Sequence, residues 1–281
     1  MRIDARSLGK PIMKPQVLTP GKQDPALKNK CALGIMIKTP RPGFSKSRLC
    51  PPLSSEEAAG LSGRFVRDKS GTIEALSRED PFVVGVAVYT PVGSESDLGA
   101  ILAPGFKMIP QRQVDFGARL FGAAEDLFSV GFSAVCLLDS DSPTIPVQHL
   151  NKLAALLKEP ADRVVIGPST DGGYYCLGLR RPHARLFEEI TWSTSQVKAQ
   201  TDERANEIDL PIIELPAWYD VDDQLSLTRL LSELFPERAA QNVIQGASAP
   251  ETKAFLGRLL EQEGPDRIWP STLLPTAGAR S

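Results

Sequence analysis

The chain has 281 residues, 42% of them hydrophobic, with 32 basic and 34 acidic side chains and a formal net charge of -2. That length and apolar content supply a real core and exclude a wholly disordered protein. The balanced charge argues against a global field for nucleic acid or an anionic membrane. Four scattered cysteines, two histidines and no CxxC support neither a disulfide scaffold nor a zinc site.

Residues 1–30 are rich in Lys, Pro and Gln without a structural period, and are read as an N-terminal extension, partly disordered. "CALGIMI", Cys31 to Ile37, is a continuous apolar run of the kind a buried parallel strand shows. "KTPRPGFSKSRL" follows it. Lys38, Arg41, Lys46 and Arg48 stand there without an acid, interrupted by Pro40, Pro42 and Gly43. A solvated turn and a nucleic-acid patch are the plain alternatives. The reading adopted is a stiff phosphate-binding loop, whose cations pair with a diphosphate while backbone donors near Gly43 add to them. It is neither GxxxxGK[ST] nor GxGxxG.

From Ser54 the pattern turns helical, with Ser54 and Glu57 spaced as a capping box. A second strand is expected from Pro81, then an irregular stretch from Gly93 to Gln111. A helix with Phe116, Leu120, Ala124 and Leu127 facing the core comes next. "FSAVCLLDSDSP" reads as a buried strand that stops in acids, and a helix striped by Leu150, Leu153, Leu156 and Leu157 begins near Pro146. "RVVIGPSTDGGYYCLGL" reads as strand, glycine turn and strand, an antiparallel insertion. A helix over about Ser195–Ile208, a short strand at "PIIELP" and a helix through Leu227, Leu230, Leu231 and Leu234 complete the series. Strands separated by helix-length intervals predict an α/β fold with a mostly parallel sheet covered on both faces. Residues 236–281 are read as a C-terminal extension with one short helix around Lys253 to Glu263.

Acids cluster after the apolar runs: Asp139 and Asp141, then Asp171, then Asp220, Asp222 and Asp223. Strand ends on one edge of an open α/β sheet form the ligand crevice. Carboxylates meeting there call for a hard cation, Mg²⁺ or Mn²⁺, completed by waters and substrate phosphates. The plain alternative is that Asp beside Ser and Pro makes turns and caps. Gly172 and Gly173 either admit a ligand close to the backbone or make a tight turn. At most one of Tyr174 and Tyr175 faces the crevice, because neighbours on a strand alternate. Trp192 is placed on the acceptor side or in the core. His149 is expected on a helix surface and His183 in a loop.

These segments together resemble the DUF2064, or selenodomain-associated transferase 1, family of glycosyltransferase-A-like proteins. The pattern K-x-P-x-P-G-x-x-K-T-R-L is matched by Lys38, Pro40, Pro42, Gly43, Lys46, Ser47, Arg48 and Leu49. Q-x-x-x-D-x-G-x-R is matched by Gln111, Asp115, Gly117 and Arg119, and D-x-P by Asp141 and Pro143. G-P-x-x-D-G-G-Y-Y spans Gly167 to Tyr175, F-x-x-I-x-W-S-T spans Phe187 to Thr194, and D-V-D is Asp220 to Asp222. Asp139 stands where glycine is usual and Ser47 where threonine is. The resemblance implies a Rossmann-like nucleotide-diphospho-sugar transferase fold over residues 31–235. It places Lys38, Arg41, Gly43, Lys46, Arg48, Gln111, Asp115 and Arg119 on the donor side. Asp171, Gly172, Gly173, Tyr174 and Trp192 fall on the acceptor side, and Asp139, Asp141, Asp220 and Asp222 around the metal. Asp141, Asp222, Arg48 and Lys46 are the expected catalytic groups.

The implied reaction moves a glycosyl group from a nucleotide-sugar to a small-molecule acceptor. The alternatives are nucleotidyl transfer from an NTP and a catalytically silent binding module. No nucleic-acid partner and no membrane span are expected. Location is expected to be cytoplasmic, with the extensions available to a protein partner or a second copy.

Overall fold

The computed structural model describes residues 15–238 and 245–269. Its sheet strands are β1 (Gln16–Val17), β2 (Cys31–Lys38), β3 (Val83–Thr90), β4 (Lys107–Pro110), β5 (Ala134–Leu138), β6 (Val164–Pro168), β7 (Tyr174–Leu179) and β8 (Ile212–Glu214). The spatial order is β1-β4-β3-β2-β5-β7-β6-β8. Only β7 runs against the rest, pairing antiparallel with both β5 and β6. The mostly parallel sheet and its antiparallel insertion are therefore as expected.

The helices are α1 (Ser55–Glu79), α2 (Glu95–Ile101), α3 (Phe116–Ser129), α4 (Val147–Lys158), α5 (Val197–Glu207), α6 (Gln224–Leu234), α7 (Pro250–Glu263) and α8 (Pro265–Ile268). They cover both faces, which explains why the central strands are apolar throughout. Along β2, Cys31, Leu33, Ile35 and Ile37 join the core under α1, α4, α6 and α7. Ala32 joins the opposite core, with Leu120 and Leu127 of α3, and Met36 packs against it. One continuous run thus feeds two cores through the two-residue period of a strand. The capping box at Ser54 and Glu57 is formed, fixing where α1 starts.

Several expectations change. Residues 15–30 are packed rather than tail-like: β1 pairs with β4, and Leu18 and Leu27 are buried. Residues 1–14 lie outside the described residues. The stretch from Gly93 to Gln111 holds both α2 and β4, too short for a periodic signal. In the C-terminal extension α7 lies on α1. Both Asp68 carboxylate oxygens accept its first backbone N–H groups, from Glu251 and Thr252. The rest of that extension, 239–244 and 270–281, lies outside the described residues. The four cysteines are free, and three of them, Cys31, Cys136 and Cys176, are buried. No helix among the described residues is long and apolar enough to cross a membrane.

Candidate functional site

Because β2, β5, β6 and β8 run one way, their C-terminal ends share an edge with the start of β7. The basic loop follows β2, Asp139 and Asp141 follow β5, Asp171 lies between β6 and β7, and Asp220 and Asp222 follow β8. Chain order scatters these groups; strand direction gathers them.

The basic loop folds back on itself. Ser45 Oγ accepts from the Arg41 N–H at 3.0 Å, and the Ser45 N–H donates to the Arg41 carbonyl at 3.1 Å. Lys46 then adopts a left-handed backbone, φ 53° and ψ 38°, which turns the chain into the 3₁₀ turn Ser47–Leu49. That conformation costs a non-glycine residue about 1–2 kcal/mol. At Lys46 it accompanies burial of the side chain, 5% exposed, with Nζ 5.7 Å from the centroid of the Phe65 ring.

Lys46 Nζ lies 2.7 Å from Asp141 Oδ1 and 2.7 Å from Asp222 Oδ1. Burial opposes the ammonium charge, but the two carboxylates outweigh it and raise the Lys46 pKa above the ordinary lysine value. Burial likewise pushes the Asp141 carboxyl up, and the Lys46 charge and hydrogen bond hold it below its usual value. Ser140 Oγ also donates to Asp141 Oδ1, at 3.1 Å.

Two cavities meet at this ion triad. One, of about 240 Å³, is lined by Lys38, Phe44, Ser45, Lys46, Ser47 and Arg48 with Asp141 and Asp222. The other, of about 450 Å³, has an acid wall of Asp139, Asp141, Asp171, Asp220 and Asp222 and an apolar side that includes Met36, Phe116, Leu120, Tyr174 and Trp192. Arg48, Asp141 and Asp222 line both. Arg48 is exposed and makes no ion pair among the described residues. Burial, followed by the charges of Asp171 and Asp222, pushes the Asp220 carboxyl up to about 6, and Ser169 Oγ donates to it at 3.0 Å.

Other expected residues have different partners. Asp139 was expected to share an ion with Asp141. Its carboxylate instead accepts from the buried Lys69 ammonium and, at 2.6 Å, from Ser142 Oγ, and Lys69 also donates to the Asp139 carbonyl at 2.8 Å. Gln111, Asp115 and Arg119 do not line the cleft. Gln111 is buried and donates to the Val88 and Ile37 carbonyls at 2.7 and 3.3 Å, tying β3 to β2. Asp115 caps α3 by accepting from the Ala118 N–H, and Arg119 donates to the Val114 carbonyl. Arg41 and Gly43 belong to the loop but line neither cavity.

Gly172 is at φ +92°, and a Cβ there would meet the Ser195 carbonyl oxygen at 2.1 Å, so its glycine is required by packing against the W-S-T loop. Gly173 lines the cleft. Tyr174 packs on the α3 side and Tyr175 on the opposite core. Tyr175 Oη lies 3.1 Å from His149 Nδ1, so His149 is half-buried and hydrogen-bonded rather than a free surface residue. His183 pairs with Asp162.

The residues missed from the sequence are of two kinds: apolar groups of the cleft, and Lys69, Ser140, Ser142 and Ser169, which bond to its carboxylates. Phe116, expected in the core, is 48% exposed and meets Trp192 edge-on at 5.1 Å. Its helical spacing carried no sign of the opening. Lys69 lies among small and polar residues of α1, with no local cue to its partner.

Residues 72–194 match the family DUF2064, described as "Uncharacterized protein conserved in bacteria". The family resemblance read from the motifs is thereby borne out. A presumed nucleotide-diphospho-sugar transferase from Desulfovibrio desulfuricans G20 is similar in structure, with TM-score 0.69 and 27% identity over 83% of this chain and 95% of that one. The fold is therefore of the nucleotide-diphospho-sugar transferase type. CMP:2-keto-3-deoxy-manno-octonic acid synthetase complexed with CTP aligns at TM-score 0.47 and 14% identity, over 74% of this chain and 99% of that one. The Rv0371c protein of Mycobacterium tuberculosis H37Rv in complex with manganese aligns at 0.44 and 16%, over 73% and 99%. These two likenesses are too distant to bear on the reaction. No protein of curated function matches the chain in sequence.

Proposed function

We propose, on the premise of the DUF2064 match, that this chain is a transferase acting on a nucleotide-activated donor, and that it moves a glycosyl group from a nucleotide-diphospho-sugar to a hydroxyl of a small molecule. The observation that carries this reading is the position of the Lys46–Asp141–Asp222 triad between a cationic cavity and an acid-walled one. Lys38, Lys46 and Arg48 suit the donor diphosphate and the charge that grows on it as it leaves. The catalytic unit of this reading is residues 31–235, and its four free cysteines suit a reducing cytoplasm.

The donor set fits a divalent cation. Asp141 and Asp222 each aim an oxygen at one point, where a cation, the Lys46 ammonium, already stands. Among the described residues no three His, Cys, Asp or Glu side chains form an all-protein cage. Two carboxylates completed by phosphate oxygens and water is a common Mg²⁺ or Mn²⁺ arrangement. Such an ion would stabilise the departing diphosphate. Asp220, beside Asp171 and oriented by Ser169, takes the acceptor proton.

The acid wall also favours glycosyl over nucleotidyl transfer. Nucleotidyl transfer to a phosphate acceptor would bring that anion against Asp171 and Asp220, which no cation neutralises among the described residues; a hydroxyl acceptor meets no like charge there. Titration with UDP, GDP, UDP-glucose, GDP-mannose, GTP and CTP, with and without Mn²⁺, identifies the donor. Product analysis then decides: nucleoside diphosphate supports the proposal, and pyrophosphate replaces it with nucleotidyl transfer. A folded protein that ignores every ligand is a silent module.

A further inference from the structure

We infer that Lys46 is an exchangeable resident cation, which holds Asp141 and Asp222 together in the free protein and gives them up to a divalent ion only as it moves onto donor phosphate. This rests on the donor reading above and adds an order of events to it.

The ammonium occupies the point where the two carboxylates converge, 2.7 Å from each. A divalent ion bound to the same two oxygens beside it would place three positive charges against two negative ones in one small volume. Coulomb repulsion at that range opposes simultaneous occupancy. Asp139 cannot relieve the excess, because Lys69 already neutralises it, and Asp171 and Asp220 stand on the same wall without an ion pair to Lys46. Both cations compete for the same two Oδ1 atoms, so an ion at that point displaces Lys46.

The structure supplies somewhere for Lys46 to go. Its side chain also lines the cavity that holds Lys38, Ser45, Ser47 and Arg48. A lysine stem has four rotatable bonds and carries its charge as a point, so it can change partners without moving the backbone. A phosphate in that cavity would draw the ammonium away from the carboxylates and leave them for the ion. Without phosphate, the lysine has no better partner than Asp141 and Asp222. Metal affinity of the free protein is then low, and phosphate and metal raise each other's affinity by the same factor, as linkage requires.

The test measures Mn²⁺ binding to the full chain by electron paramagnetic resonance, with no nucleotide present. Lys46→Met keeps the stem over Phe65 and removes the charge. It should bind Mn²⁺ at least about tenfold more tightly than the wild type, within the usual range of site-to-site coupling. Equal or weaker binding by a folded Lys46→Met overturns the exchange.

A second measurement needs no variant. Calorimetry of inorganic pyrophosphate binding to the wild type, with and without Mn²⁺ and corrected for their complex in solution, should show synergy of about tenfold or more. Independent binding of the two overturns the proposal. Pyrophosphate binding with no Mn²⁺ bound to any form overturns the exchange and leaves the donor site standing. Failure to bind pyrophosphate under any condition removes the donor reading, and this inference with it.

Discussion

The Val221 N–H donates to the Asp141 carbonyl across 3.0 Å, a backbone bond joining the loop after β5 to the loop after β8. Both loops carry a carboxylate to Lys46, yet their spacing is set by the main chain. A substitution at Asp141 can therefore change charge without changing this tie. Asp141→Asn should stay folded with a lowered unfolding midpoint, because it loses a carboxylate that Lys46 stabilises while Lys46 keeps Asp222. It should lose Mn²⁺-dependent nucleotide binding by at least about tenfold, the lower bound typical of losing even an outer partner of a metal site. Calorimetric titration beside urea unfolding checks both halves; unchanged binding removes Asp141 from the site.

The pairing of Lys69 with Asp139 gives a sharper test, because it separates a structural carboxylate from a metal ligand. The Lys69 side chain is 3% exposed and that of Asp139 is 21% exposed. Lys69→Met leaves a largely buried carboxylate without its cation and should destabilise the protein by about 3 kcal/mol. Asp139→Asn in the same chain removes the orphaned charge and should recover most of that loss. Urea unfolding of both single variants and the double variant gives the coupling. If Asp139 ligated an ion instead, the Asn variant would lose metal binding at unchanged stability.

That pair also marks how far the sequence could be read. The partners are 70 positions apart, and Lys69 sits on a helix whose crossing over the sheet decides what it meets. No local pattern encodes that crossing. The gathering of Lys46, Arg48, Asp141, Asp171, Asp220 and Asp222 was legible for the opposite reason: each follows an apolar run, and parallel strands deliver their ends to one edge. The motif Gln111, Asp115 and Arg119 was legible as a motif but not as a role, since side chains that fasten strands and cap helices recur in family patterns as ligands do. Residues 15–30 looked like a tail because a two-residue strand and one turn of 3₁₀ helix are too short to show a period.

Gly117, inside that motif, is explained by contact. A Cβ there would lie 2.6 Å from Trp192 Nε1 and 2.9 Å from the Phe187 carbonyl oxygen. Alanine gains about 0.5–1 kcal/mol over glycine inside a helix, while overpacking costs about 1–3 kcal/mol. The clash should win, because the carbonyl is fixed main chain. Gly117→Ala is expected to be less stable than the wild type by about 1–2 kcal/mol. Trp192 should be displaced from Phe116, altering the apolar side of the cleft. Urea unfolding reads the first effect and tryptophan fluorescence the second; a variant as stable as the wild type would show that the Trp192 contact gives way freely.

The C-terminal segment is fastened to the start of α1 by Arg267, which donates to both Glu57 carboxylate oxygens and to the Pro52 carbonyl. Burial pushes the Glu57 carboxyl up, but the Arg267 hydrogen bond, the Ser54 backbone and the Arg267 charge outweigh it and hold the pKa below 4.5. A carboxyl depressed on folding contributes its stabilisation in full above its unfolded value and loses it as pH falls through the folded value. The anchor should therefore be intact at neutral pH and weaken only below 4.5, as Glu57 takes up its proton. Amide exchange of α7 and α8, compared at neutral and acidic pH, should show protection falling in that acid range. Arg267→Ala should lower protection already at neutral pH and flatten the acid step. A step of equal size in that variant would assign the acid sensitivity to another carboxyl, with Asp68 at the N-terminus of α7 the next to test.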